Sequence, residues 1–186
     1  MSILLSLIAP IVLSAVLVFV LSSIIHMATP WHHGDYAKVP EEQRVMDALR
    51  PLAPPPGDYM LPRAGSMDEM RTPEFIAKHK AGPVMIFTLM PGGDFAMGRR
   101  LVNWFIYSLA IGFIAAYVAA SVLPVGTAYP KVFQVVGTVA FAGYAGALWQ
   151  ASIWFGRSWG TTLRSTIDGL LYGLLTAGVF GWLWPH

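Results

Sequence analysis

The chain has 186 residues, of which 55% are hydrophobic and only 12% charged, with a net charge of +2 and a mean hydropathy of +0.57. Soluble domains carry about 25% charged residues, so this composition excludes a soluble globular domain and a disordered chain alike. The charge is also segregated. Residues 1–34 hold no Asp, Glu, Lys or Arg, and residues 101–186 hold only Lys131, Arg157, Arg164 and Asp168. With no cysteine present, disulfides, thiolate metal sites, iron–sulfur clusters and covalent c-type haem are excluded as well.

A bilayer core about 30 Å thick needs roughly 20 apolar residues in a helix. Residues 3–25 meet this without a charge, and the stretch is too long and lacks the positive start of a cleaved leader, so it reads as an uncleaved anchor. Directly after it come His26, Met27, Trp31, His32, His33, Asp35 and Tyr36. Imidazoles and a carboxylate this close together suit a divalent transition metal at His26, His32, His33 and Asp35. Eight of the nine methionines lie from Met27 to Met97, and thioethers favour Cu(I). The competing reading is an interfacial turn anchored by Trp31 and Tyr36, since adjacent histidines on extended chain point opposite ways.

The polar insertion spans residues 26–100, about 75 residues of mixed character. Val39-Pro40-Glu41-Glu42 opens a helix, and Pro51 with Pro54-Pro55-Pro56-Gly57 ends it. Thr72-Pro73-Glu74 opens a second, closed by Lys78-His79-Lys80 before Gly82. Residues 84–89 have the length and apolarity of a strand, with residues 59–61 as a pairing partner or the membrane surface as support.

Three further spans follow at 101–123, 132–154 and 163–184, giving an all-α integral membrane protein of four transmembrane helices with the insertion between the first two. Small residues four apart mark close helix contacts. The last span shows Gly169, Gly173, Ala177 and Gly181; the second shows Ser108, Gly112 and Ala116; the first shows no comparable ridge. These ridges suit a tight bundle of spans two to four or an interface between copies.

Lys and Arg counts orient the chain. The side bearing residues 26–100 and 155–162 carries eleven, counting Arg164, and the other carries only Lys131. The positive-inside tendency therefore places the insertion in the cytoplasm and both termini outside, in what compact size suggests is a bacterial inner membrane.

An ionisable residue inside a span is costly. Arg164 and Asp168 share a face of the last helix, and Asn103 and Gln150 are expected at similar depth. The four make either a polar pocket at the membrane boundary or, more simply, a snorkelling arginine beside a carboxylate that favours the helix start. Nucleotide, zinc-protease and hydrolase motifs are absent, so no catalytic role is assigned.

Three functions compete. The sequence favours a non-catalytic homo-oligomer or accessory subunit of a larger membrane complex, with the lipid bilayer and protein as partners, no nucleic acid and no obligatory cofactor. The second is a small oligomeric transporter or channel built on Arg164 and Asp168. The third is a metal-binding membrane protein.

Overall fold

The computed structural model describes residues 2–93 and 97–186. The chain is mostly helical and divides into two compact units, Met1–Ala37 with Ala96–His186, and Lys38–Phe95. The first unit begins with α1 (Ser2–Ser6) and α2 (Ile8–Ser23), which runs on through a π-helical turn at Ile24–Ala28. The second unit holds α3 (Glu42–Leu49), β1 (Gly57–Leu61), α4 (Pro73–Ala81) and β2 (Met85–Leu89). The first unit resumes with α5 (Met97–Val122), α6 (Tyr129–Ala145), α7 (Leu148–Phe155) and α8 (Trp159–Trp182). Residues 26–37 therefore group with the helices of the first unit.

Among the described residues, three helices are long and apolar enough to cross a membrane: Ile3–Ala28, Met97–Val122 and Tyr129–Phe155. This is a membrane protein. The expected fourth span does not join them, because the first half of α8 carries Thr161, Thr162, Arg164, Ser165, Thr166 and Asp168. Yet α8 is the most enclosed of the long helices. Asp168, Gly169, Tyr172, Gly173, Thr176, Ala177, Phe180 and Gly181 are all buried, so its small and polar face meets protein. The third span is interrupted at residues 146–147, between α6 and α7. A β-carbon on Gly146 would lie 2.6 Å from the Ala142 carbonyl oxygen, so the backbone closes there in a way that only glycine permits.

The ridge on α8 is the packing face against α6. A β-carbon on Gly169 would meet the Ala145 Cβ at 2.8 Å, one on Gly173 the Phe141 backbone at 3.1 Å, and one on Gly181 the Tyr129 ring at 2.7 Å. Ala177 in turn meets Gly137, where a β-carbon would stand 3.1 Å away. The two helices run antiparallel, in matched four-residue steps from Gly169 with Ala145 to Ala177 with Gly137, and their interface is the largest between helices. The ridge on α5 is taken up by a different neighbour. Ser108 is buried with its hydroxyl donated to the Trp104 carbonyl, Gly112 sits against Ile11 and Ser14 of α2, and Ala116 joins the core of Leu7, Val132, Val136, Phe180 and Trp184. The first span thus has its own packing face after all, Pro10, Ser14, Val18 and Ser22. Its serines pass for small apolar residues because each donates its hydroxyl to a carbonyl one turn back.

In the smaller unit, Thr72 caps α4 by accepting from the Phe75 amide, and Gly82 closes it with a positive φ of 63°. β1 and β2 pair antiparallel from Gly57 with Leu89 to Leu61 with Met85. The first helix opens at Glu42, two residues after Pro40, with Glu41 in the left-handed region.

Candidate metal centre

The π-turn at the end of α2 carries His26. Its Nδ1 lies 2.9 Å from the Ser22 carbonyl oxygen, which can only accept, so Nδ1 holds the proton and Nε2 keeps its lone pair. Ser22 is fixed in turn, because its hydroxyl accepts from the Trp104 indole at 2.8 Å. The helix then stops. Thr29 precedes Pro30, which favours extended backbone, and its hydroxyl donates to the Ile25 carbonyl at 2.6 Å. Two consecutive turns, His33 amide to Pro30 carbonyl and Asp35 amide to His32 carbonyl, curl residues 30–35 back on themselves.

This curl presents Trp31, His32 and Asp35 to α8. His32 Nδ1 lies 2.7 Å from Asp35 Oδ2, and His32 Nε2 lies 2.7 Å from Asp168 Oδ2. The other oxygen of Asp168 accepts from the Trp31 indole at 3.1 Å. Arg164 donates Nε at 2.9 Å and a terminal nitrogen at 2.5 Å to Asp35 Oδ1. Arg164 and Asp168 therefore do not act as a simple interfacial pair; each clamps the 30–35 loop. Asp168 is 4% exposed and sits nine residues into α8. That is about 13 Å along the axis, beyond the first turn where the helix dipole would stabilise it.

The imidazoles of His26 and His32 stack at 4.3 Å between centroids and 9° between planes. One ligand atom from each of His26, His32 and Asp168 lies within 4.8 Å of the others. Ligands around a tetrahedral ion at about 2.0–2.1 Å stand ~3.3 Å apart, and imidazole lone pairs lie in the ring plane, so closing on a cation requires one of the two stacked rings to rotate as well as an approach of about an ångström. Asp35 stands behind His32 as its carboxylate partner, the arrangement that fixes ring orientation in histidine metal sites. Burial alone would raise the Asp35 carboxyl, but the hydrogen bonds and positive charge of His32 and Arg164 hold it below the usual carboxylate range.

His32 decides what the cluster can do. Both ring nitrogens face carboxylate oxygens, which only accept. Either the ring carries both protons, or Nδ1–H alone donates to Asp35 and the Nε2 lone pair shares a cation with Asp168. One turn beyond Asp168, Tyr172 is buried and its hydroxyl has no hydrogen-bond partner among the described residues.

The remaining sequence candidates fall outside the cluster. His33 is exposed, since the curl turns its neighbour inward, and Asn103 and Gln150 are exposed on α5 and α7. Trp31 was not among the sequence candidates, although its position next to His32 is a signal in hindsight. Two cavities adjoin the centre. One of about 590 Å³ is lined by Ile25, Trp31, Arg164, Ile167, Asp168 and Leu171, among others; one of about 360 Å³ is lined by His26, Met27, Met97, Leu101 and Trp104, among others.

No protein family, curated protein or solved structure matches this chain.

Proposed function

We propose that this membrane protein binds a divalent transition metal ion through His26 Nε2, His32 Nε2 and the Asp168 carboxylate. The observation that carries the reading is the convergence of two imidazoles and a buried carboxylate, with Nδ1 of each ring already committed to an acceptor. Two nitrogens and one oxygen suit Zn²⁺, Ni²⁺, Co²⁺ or Cu²⁺ rather than Ca²⁺ or Mg²⁺. Three protein ligands leave a coordination position for water or another ligand, as in catalytic rather than structural zinc sites.

We prefer this reading to the accessory-subunit one on two observations. That reading rests on the small-residue ridges, the near-absence of buried polar groups and the lack of a catalytic signature. The ridges are spent inside the chain, and a buried polar network joins α8 to the 30–35 loop. We take α8 as the fourth span, since its polar side chains face protein. The Lys and Arg asymmetry then puts the metal centre at the cytoplasmic edge of a bacterial inner membrane, with both termini outside.

Titration of the detergent-purified protein with Co²⁺ tests the reading. Saturable ligand-field absorption, displaced by Zn²⁺ and lost in both His26→Ala and His32→Ala, is the expected result. Absence of saturable binding, or binding indifferent to both substitutions, contradicts it.

A further inference from the structure

The groove of about 360 Å³ that His26 lines is also lined by Met27 and Met97. Met27 follows His26 in the π-helical turn and Met97 opens α5, so elements far apart in the chain bring two thioethers and one imidazole to the same groove. At 75% and 46% exposure, neither methionine fills a gap in the core, the usual use of that side chain. Among the described residues, no Asp, Glu, Lys or Arg lines the groove. The hydroxyls there are committed, since Ser22 and Ser23 both donate to the Phe19 carbonyl. Its free side-chain donors to a metal are therefore one imidazole nitrogen and two sulfurs.

The imidazole is set up to serve this groove. Nδ1 of His26 is held on the Ser22 carbonyl at 2.9 Å, which leaves the Nε2 lone pair in the ring plane. The His32 ring stacks on His26 with only 9° between planes, so that lone pair runs alongside His32 rather than at it. We propose that the groove binds Cu(I) through His26 Nε2 and the thioether sulfurs of Met27 and Met97. Thioethers select Cu(I) over the harder divalent ions. A singly charged ion is also less costly to desolvate than a doubly charged one, and no carboxylate lines the groove to offset a second charge. The site needs neither His32 nor Asp168, so it does not depend on the divalent centre. The two share His26, whose one free nitrogen serves one ion at a time.

Anaerobic titration of the detergent-purified protein with Cu(I), in competition with bicinchoninate, tests this, with circular dichroism confirming the helices of each variant. Saturable uptake with sulfur scattering in the copper X-ray absorption spectrum is the expected result. Met27→Leu and Met97→Leu remove the sulfur while keeping an apolar side chain of similar volume. Each should weaken Cu(I) binding by more than the roughly tenfold that loss of an outer-sphere partner costs, and the two together should abolish the sulfur scattering. His32→Ala should keep the copper. Absence of saturable Cu(I) uptake, uptake indifferent to the double methionine substitution, or loss of Cu(I) in His32→Ala overturns the inference. The Co²⁺ titration reads the divalent centre separately, so either reading can fail while the other stands.

Discussion

His32 Nε2 and Asp168 Oδ2 lie 2.7 Å apart although 136 residues separate them in the chain. The contact joins the loop after the first span to the third turn of the last long helix. It pairs a buried carboxylate that would otherwise be costly to hold away from water. Asp168 is satisfied from both sides, by His32 and by the Trp31 indole, which is why α8 tolerates it.

The cluster discriminates between neighbouring histidines. His26→Ala and His32→Ala should each abolish high-affinity binding of Co²⁺ or Zn²⁺, while His33→Ala should leave it unchanged, because His33 is exposed outside the cluster. Equal losses in all three variants, measured by competition with a chromophoric chelator, contradict the assignment.

On the proposed metal reading, Asp35 is a positioning residue. Asp35→Asn keeps the shape but no longer draws the Nδ1 proton of His32 as a carboxylate does, and it weakens the Arg164 clamp. Loss of such a carboxylate partner costs roughly 10–100-fold in metal affinity. On the proposed metal reading, Asp168→Asn replaces a carboxylate ligand and should cost more. The ordering is the test, and an Asp35→Asn loss exceeding that of Asp168→Asn reverses the roles.

Glycines of the bundle should respond according to the space beside them. Gly173→Ala drives a β-carbon to within 3.1 Å of the Phe141 backbone, and forced overpacking of this kind costs about 1–3 kcal/mol. Gly112→Ala meets Ile11 and Ser14 only at 3.5 Å, so it should be neutral, or stabilising by up to ~1 kcal/mol through helix propensity. Thermal unfolding in detergent reads both; equal Tm shifts would mean that the α6–α8 contact is not the tight one.

The proposed orientation predicts protease access to residues 51–66 from the cytoplasmic face only. Inside-out vesicles should be cut there and right-side-out vesicles protected. The reverse pattern overturns the topology and moves the metal centre to the outer edge.

Much of the fold was legible from local signals. The α4 boundaries follow from Thr72, Pro73 and Gly82, and the strand at residues 85–89 from its flanking glycines and prolines. The α8 ridge follows from its four-residue spacing. What spacing does not carry is which neighbour a ridge meets, so the α5 ridge facing α2 and the serine-bearing face of α2 went unread. The candidate site was legible as two halves. The histidine cluster and the Arg164–Asp168 pair each appeared on one side of the membrane, the same side by charge count, but their union is a long-range contact that no local pattern encodes. The curl at residues 30–35 decides which histidine faces inward, and it depends on successive backbone hydrogen bonds rather than on side-chain periodicity.

The most direct test is metal stoichiometry by inductively coupled plasma mass spectrometry, on protein extracted from its own membrane without chelator, beside His32→Ala shown by circular dichroism to keep its helices. The account predicts one divalent transition metal ion per chain in the wild type and none in the variant. A wild-type protein without metal after exposure to Zn²⁺, or a variant that retains the full complement, contradicts it.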